Sequence, residues 1–115
     1  MKTKSITINE SVFTTLIAKS ADEQEQGLMY VPPPAPVMSF VYSSPQTVKF
    51  WMKNTPAPLD IVFVCKGQVT QIHEGVPYST QSIGDDLESD LVVELPRGLA
   101  KKCNIKIGDS VSFID

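Results

Sequence analysis

Residues 50–73 read FWMKNTPAPLDIVFVCKGQVTQIH, and the two halves of this stretch decide the fold between them. The second half holds two short apolar runs, Ile61–Cys65 and Gln68–His73, separated by Lys66-Gly67. That dipeptide suits a tight hairpin turn, because glycine accepts the positive φ that such turns need. The first half alternates. In an extended chain, alternate side chains share a face. Val48, Phe50 and Met52 therefore separate from Lys49, Trp51 and Lys53. The first set is expected in the core, and the second places an indole between two ammonium groups on the other face. Pro56 and Pro58 then stiffen a sharp excursion and disfavour helix for Thr55 and Ala57. Asn54 tolerates turn geometry. Asp60 opens a strand, Ile-Val-Phe-Val, that is apolar on both faces, so its carboxylate needs a partner. Lys53 or the backbone amides of the proline loop are the expected suppliers.

Working outward, Val12–Ala18 is β-branched and strand-like, as are Val37–Tyr42, Thr47–Met52, Leu91–Leu95 and Val111–Ile114. Ser20, with Glu23 three residues on, predicts a capped helix over Ala21–Met29, kept short by Gly27. Val31–Pro36 carries four prolines and is expected to be a stiff connector. Ser79–Asp90 reads as a long polar loop. Pro96 is expected to begin a second short helix that Asn104 ends, and Ile107-Gly108-Asp109 a turn. The pattern predicts a mostly β fold: a small single-domain sandwich or partly closed barrel, spanning residues 1–115, with one or two short helices.

The chain has 115 residues, the size of one domain. A domain of this length buries roughly two-thirds of its unfolded surface, enough for a core without staples. Thirteen acidic residues oppose ten basic ones, for a net charge of −3. This balance argues against nucleic acid, which calls for a basic stripe. No apolar run approaches the ~20 residues of a membrane helix. The N-terminus lacks the apolar region of a secretory signal, so the chain as written is expected in the cytoplasm. Cys65 and Cys103 form no CxxC and have one histidine, His73, for company, which disfavours a zinc site. A pairing between the two cysteines is neither required nor excluded. No Walker loop, dinucleotide fingerprint or nucleophile elbow occurs, so no cofactor is implied.

Six residues carry the functional question: Trp51, Lys53, Asn54, Asp60, His73 and Glu94. Trp51 is a large apolar residue on a polar face. Either another segment covers it, or it walls a ligand site with lysine charge beside it. Asp60 either holds its loop shut or accepts from a ligand. Glu94 lies in the run LVVEL, opposite in phase to Leu91, Val93 and Leu95. Solvent is its base expectation, and a carboxylate pair with Asp60 for acid–base chemistry the sharper one. His73 is a weak catalytic candidate beside that pair.

The block Phe50-Trp51-Met52-Lys53-Asn54-Thr55, followed by Pro58-Leu59-Asp60, resembles the hallmark of the uncharacterised family numbered 192 among the domains of unknown function (DUF192). Gly27-Leu28-Met29, Pro77-Tyr78-Ser79, Val93-Glu94-Leu95-Pro96 with Gly98, and Gly108-Asp109 resemble further elements of that family. The likeness runs from about Ala18 to Phe113. Two departures stand out. Gln24 and Gln26 occupy a region where the family often has an arginine, so no ionic contact is expected from there. Val37-Met38-Ser39-Phe40 replaces a common GMLF. The resemblance implies a compact, mostly β fold and no established activity. The residues favour a module that binds a small polar ligand, a saccharide or an anionic metabolite, near Trp51, Lys53, Asn54, Asp60 and Glu94. The alternatives are a hydrolase using Asp60 and Glu94, and a structural or protein-interaction adaptor. Oligomeric state is not legible.

Overall fold

The computed structural model describes residues 1–114. Its backbone forms seven strands and two short helices in the order β1 (Thr3–Ile8), β2 (Ser11–Ala18), α1 (Ala21–Gln26), β3 (Met38–Thr47), β4 (Leu59–Cys65), β5 (Gln68–Gly75), β6 (Glu88–Pro96), α2 (Leu99–Lys102) and β7 (Val111–Ile114). All seven strands join one sheet in the order β5-β4-β6-β3-β2-β1-β7. Every pairing is antiparallel except β2 with β3. The sheet curls until its two ends meet. Gln68 on β5 bridges Ser110 beside β7, and the Val69 amide donates to Asp109 O at 2.9 Å. A half-barrel results, which is the partly closed barrel of the sequence reading and not the two-sheet sandwich.

The curl divides the core into two. One cluster gathers Ile6, Val62, Val69, Leu95 and Val111 from strands at both ends of the sheet order, which identifies it as the concave interior. The other gathers Phe40, Leu59, Ile61, Phe63 and Val92 on the convex face, roofed by Leu28, Met52 and Ala57 from connecting segments. The sequence of β4 reads as apolar throughout because both of its faces are covered.

The turns follow their chemistry. Lys66 and Gly67 both have positive φ, 51° and 77°, and make the β4–β5 hairpin. The Ser20–Glu23 capping box forms in both directions, at 3.1 Å each way. At the end of α2, Asn104 takes φ 57°, its amide donates to Lys101 O at 3.1 Å, and the Ile105 amide donates to Ala100 O at 2.9 Å. This pair of bonds satisfies carbonyls that a four-residue helix otherwise leaves open.

Several expectations are corrected. β1 was not anticipated, although Ile6 and Ile8 alternate with Ser5 and Thr7 ahead of a turn at Asn9, φ 58°. Thr47–Met52 is not a strand. β3 instead runs through Ser43-Ser44-Pro45 to Thr47, crossing a register shift between Val41 and Gln46 that the sequence reading took for a break. Residues 48–52 are a connector that touches the loop before β6 at one bridge, Phe50 to Ile83. α1 stops at Gln26, where Gly27 takes φ 49°. Pro96 closes β6 and does not start a helix; α2 begins after Gly98, whose φ of 92° turns the chain. The polar loop ends at Leu87, because Glu88 and Ser89 already pair with β3. Both cysteines are free.

Candidate functional site

The connector that follows β3 is fixed by what it buries. Met52 and Ala57 point into the convex core and are fully buried, and Thr55 is buried beside the cleft. Their backbone is equally tied. The Met52 amide donates to Ser79 O at 2.9 Å, the Tyr78 amide to Thr55 O at 3.1 Å, and the Tyr30 amide to Asn54 O at 2.8 Å. Asn54 adopts φ 57°, the turn geometry expected of it. The alternation read from the sequence therefore survives the loss of the strand at Phe50 and Met52, whereas Val48, expected in the core, is half-buried and joins neither cluster. With Met52 pinned inward, Trp51 and Lys53 face out, and Trp51 is 46% exposed. The rest of its surface is covered, so the indole is half-open to solvent. The Lys53 ammonium lies over the indole, 5.1 Å from the ring centroid.

Trp51 borders three grooves, one of them shared with Lys49, Thr80 and Ser82. On one side it shares a shallow groove with Lys53, Asn54, Tyr30 and Glu25. On the other it walls a cleft of about 210 Å³ between α1 with its Gly27-Leu28-Met29 tail and the aromatic residues Phe40, Tyr42 and Phe50. Phe40 and Phe50 meet edge to face, with centroids 4.9 Å apart. Glu94 lines this cleft from the sheet beneath.

Glu94 is the unexpected member. It sits on the central strand β6 between Met38 of β3 and Ile61 of β4 and is only 4% exposed, so the solvated position expected of a strand glutamate is wrong. No hydrogen-bond donor among the described residues reaches its carboxyl. Burial alone pushes its pKa up to about 8. Burial, and secondarily the nearby Glu94 charge, also pushes the Tyr42 phenol up. Lys49 borders the cleft, but its ammonium is held by Gly84 O at 2.7 Å and Asp86 Oδ1 at 3.0 Å.

Asp60 belongs elsewhere. It pairs in register with Leu95, whose side chain is in the concave core, whereas Glu94 pairs with Ile61 in the convex core. The two carboxylates thus leave opposite faces of the sheet. Asp60 Oδ2 accepts from the amides of Gly98 at 2.9 Å and Ala100 at 3.0 Å, at the start of α2. Neither Lys53 nor the proline loop is its partner, as the sequence reading had expected. Arg97 reinforces this corner. Its Nε donates to Leu59 O at 3.1 Å, its Nη2 to Gly75 O at 2.9 Å, and Nη1 lies 3.0 Å from Glu74 Oε2. Arg97 was not singled out from sequence; only its place directly after Pro96, at the end of a strand, marked it.

His73 is engaged as well. Its Nε2 lies 2.8 Å from Gln71 Oε1 and its ring meets Phe63 edge to face at 5.5 Å. Gln24, in the region of the absent arginine, donates through Nε2 to Ala18 O at 3.1 Å and Val41 O at 2.9 Å. Among the described residues no group of three His, Cys, Asp or Glu side chains is placed to hold a metal. None of their helices is long and apolar enough to cross a membrane.

Fold and cleft together define a small half-barrel domain whose convex face carries an aromatic-walled cleft over a buried carboxyl. The chain belongs to the DUF192 family, described as uncharacterized, whose sequence profile matches residues 4–113. That span takes in β1, ahead of the quoted motifs. Two solved structures share the fold. One is a Sinorhizobium meliloti 1021 protein provisionally described as a transcription regulator, 30% identical, with a TM-score of 0.92 over 97% of this chain and 94% of that one. The other is a protein of unknown function from Novosphingobium aromaticivorans DSM 12444, 32% identical, with a TM-score of 0.89 over 96% of this chain and 84% of that one. No curated protein matches.

Proposed function

We propose that this protein is a binding module for a small polar organic molecule, held in the cleft between Trp51 and α1. The observation that carries the reading is Glu94: a buried carboxyl without a hydrogen-bond partner among the described residues, lining an open cleft beside an exposed indole. A buried polar group without a partner is costly, and a ligand that satisfies it recovers that cost on binding. An anionic ligand draws less support than it did from the sequence, because a carboxyl lies beneath the cleft and Lys49 is already engaged. A paired-carboxylate hydrolase draws none, since Asp60 and Glu94 occupy opposite faces. Nucleic acid stays outside the reading on the net charge of −3, and the description of the Sinorhizobium meliloti protein is said of that protein alone.

The test uses the sole tryptophan as its own reporter. Metabolites of cationic, neutral and anionic class are titrated while Trp51 emission and backbone amide shifts are followed. A binder should move Trp51 together with Gly27 and Leu28 across the cleft, and Glu94→Gln should weaken it. A screen of all three classes in which no compound moves these residues would overturn the proposal.

An adaptor reading has one observation of its own. The family hallmark is anchored at Met52 and Ala57 by core contacts, which a folding device alone would require. That accounts for the inward half of the motif and leaves Trp51 unexplained.

A further inference from the structure

We infer that what the cleft recognises on its ligand is a cationic group, a primary ammonium or a guanidinium, seated against the Glu94 carboxylate between aromatic walls. This rests on the binding reading above and adds the chemical class to it.

Four features of the cleft agree. Glu94 is 4% exposed and makes no hydrogen bond among the described residues, so an ionised carboxylate there gains from a positive charge placed beside it in the cleft. Phe40, Tyr42, Phe50 and Trp51 line the same space, and aromatic rings present their negative faces to cations. The chain's own nearby cations are committed elsewhere: Lys49 Nζ to Gly84 O and Asp86 Oδ1, and Lys53 Nζ to the Trp51 ring. At about 210 Å³ the cleft is smaller than the roughly 300–1,000 Å³ of drug-sized sites, which suits a compact head group.

The protonation of Glu94 sets the pH behaviour. The titratable groups that face the cleft are Tyr42 from β3, Lys49 from the connector and Glu25 from α1, while the β4 neighbour, Ile61, is apolar. Tyr42 is pushed up and stays neutral. Glu94, with its pKa near 8, carries its proton at pH 7. When a cation binds, the Glu94 O–H bond breaks, the carboxylate keeps the electron pair, and the proton passes to the buffer. The ligand's charge replaces it.

The probes are methylammonium and methylguanidinium chlorides, with glucose as the neutral control and acetate as the anionic one. Amide shifts and Trp51 emission are followed at pH 7 and pH 9. The cations should move Gly27, Leu28 and Trp51, and should bind about tenfold tighter at pH 9, because one proton competes. Calorimetry at pH 7 in buffers of different ionisation enthalpy should register close to one proton released. These measurements use the unaltered chain, so they stand even if a Glu94 variant fails to fold. Glu94→Gln, if folded, should lose the cation response. Cation affinity that does not change with pH, or that survives Glu94→Gln, would overturn the proposal. Glucose or acetate moving the cleft residues while the cations do not would sink the cationic class and leave the binding module standing. Silence from all four probes would overturn the cationic class, and the wider metabolite screen would then decide the binding reading separately.

Discussion

Asp60 and Glu94 sit one register step apart on adjacent strands, so one points into the half-barrel and the other out beneath the Trp51 cleft. Two acids that look interchangeable as catalytic candidates in the sequence have unrelated work. Asp60 closes a corner of the fold by taking two amides of the Gly98–Ala100 turn on one oxygen. Glu94 has no such occupation. The separation makes the two positions independent handles, one on stability and one on binding.

Asp60→Ala should therefore destabilise without touching the cleft. It strands two amide donors, one of them buried, at a cost of about 2–4 kcal/mol. Asp60→Asn keeps one carbonyl oxygen for these amides and should cost less. Urea denaturation gives the ordering, and amide shifts of Gly27 and Trp51 should stay unmoved in any variant that remains folded. A shifted cleft in a folded Asp60→Asn protein would contradict the assignment.

Glu94 should make the protein less stable as pH rises. Its folded pKa, near 8, lies above the ordinary carboxyl value of 4.5. The folded state thus holds its proton more tightly than the unfolded state. The resulting stabilisation is complete below about pH 4.5 and is lost as pH rises through about 8. Between those limits the slope from this group approaches about 1.4 kcal/mol per pH unit. Glu94→Gln cannot ionise and should flatten the profile over the same window. Denaturation midpoints of both proteins from pH 5 to pH 9 check the sign, and parallel profiles would refute it.

How much of this was legible beforehand depended on whether a signal was local. The Lys66-Gly67 hairpin, the Ser20–Glu23 box and the inward Met52 against the outward Trp51 are each set by neighbours in sequence, and each was readable. β3 was not, because its continuity through Ser43-Ser44-Pro45 is imposed by pairing with β6, some fifty residues away, across a register shift. Asp60 was correctly read as needing a partner, but the partner comes from a turn that only the sheet brings near. Glu94 was misplaced for a related reason. Alternation gives the face a side chain takes, and says nothing of whether a connector roofs that face. The convex side of β6 is roofed by Leu28, Met52 and Ala57 from the connecting segments, so a residue that looked solvated is buried.

Met52 and Gly75 should be coupled. A Cβ added at Gly75 would lie 2.6 Å from Met52 Sδ and 3.3 Å from Ile61 Cδ1. The backbone at Gly75 needs no positive φ, so the demand is steric alone. Gly75→Ala should cost about 1–3 kcal/mol by overpacking, and Met52→Ala about 2–5 kcal/mol by leaving a cavity. In the double variant the new methyl enters the vacated space, so the combined loss should fall short of the sum. Additive losses in a double-mutant cycle would show that Met52 does not occupy this position.

Trp51 provides the sharpest contrast between the two halves of the hallmark. Its neighbour Met52 is fully buried, whereas Trp51 is 46% exposed and touches the rest of the molecule mainly through the Lys53 ammonium and the cleft walls. An exposed cation–π contact is worth about 0.5–1 kcal/mol. Trp51→Ala should lose this contact and the covered part of the indole, at a cost below the ~2–5 kcal/mol expected at Met52, while removing one wall of the cleft. The wild-type indole should be reached by the collisional quencher acrylamide without denaturation, and Lys53→Met should change its emission. If Trp51→Ala proves as destabilising as Met52→Ala, the outward face of the motif is a packing element and the cleft loses its wall by accident. If stability holds and ligand response goes, the two faces have separate purposes, the inward one for the fold and the outward one for what the cleft binds.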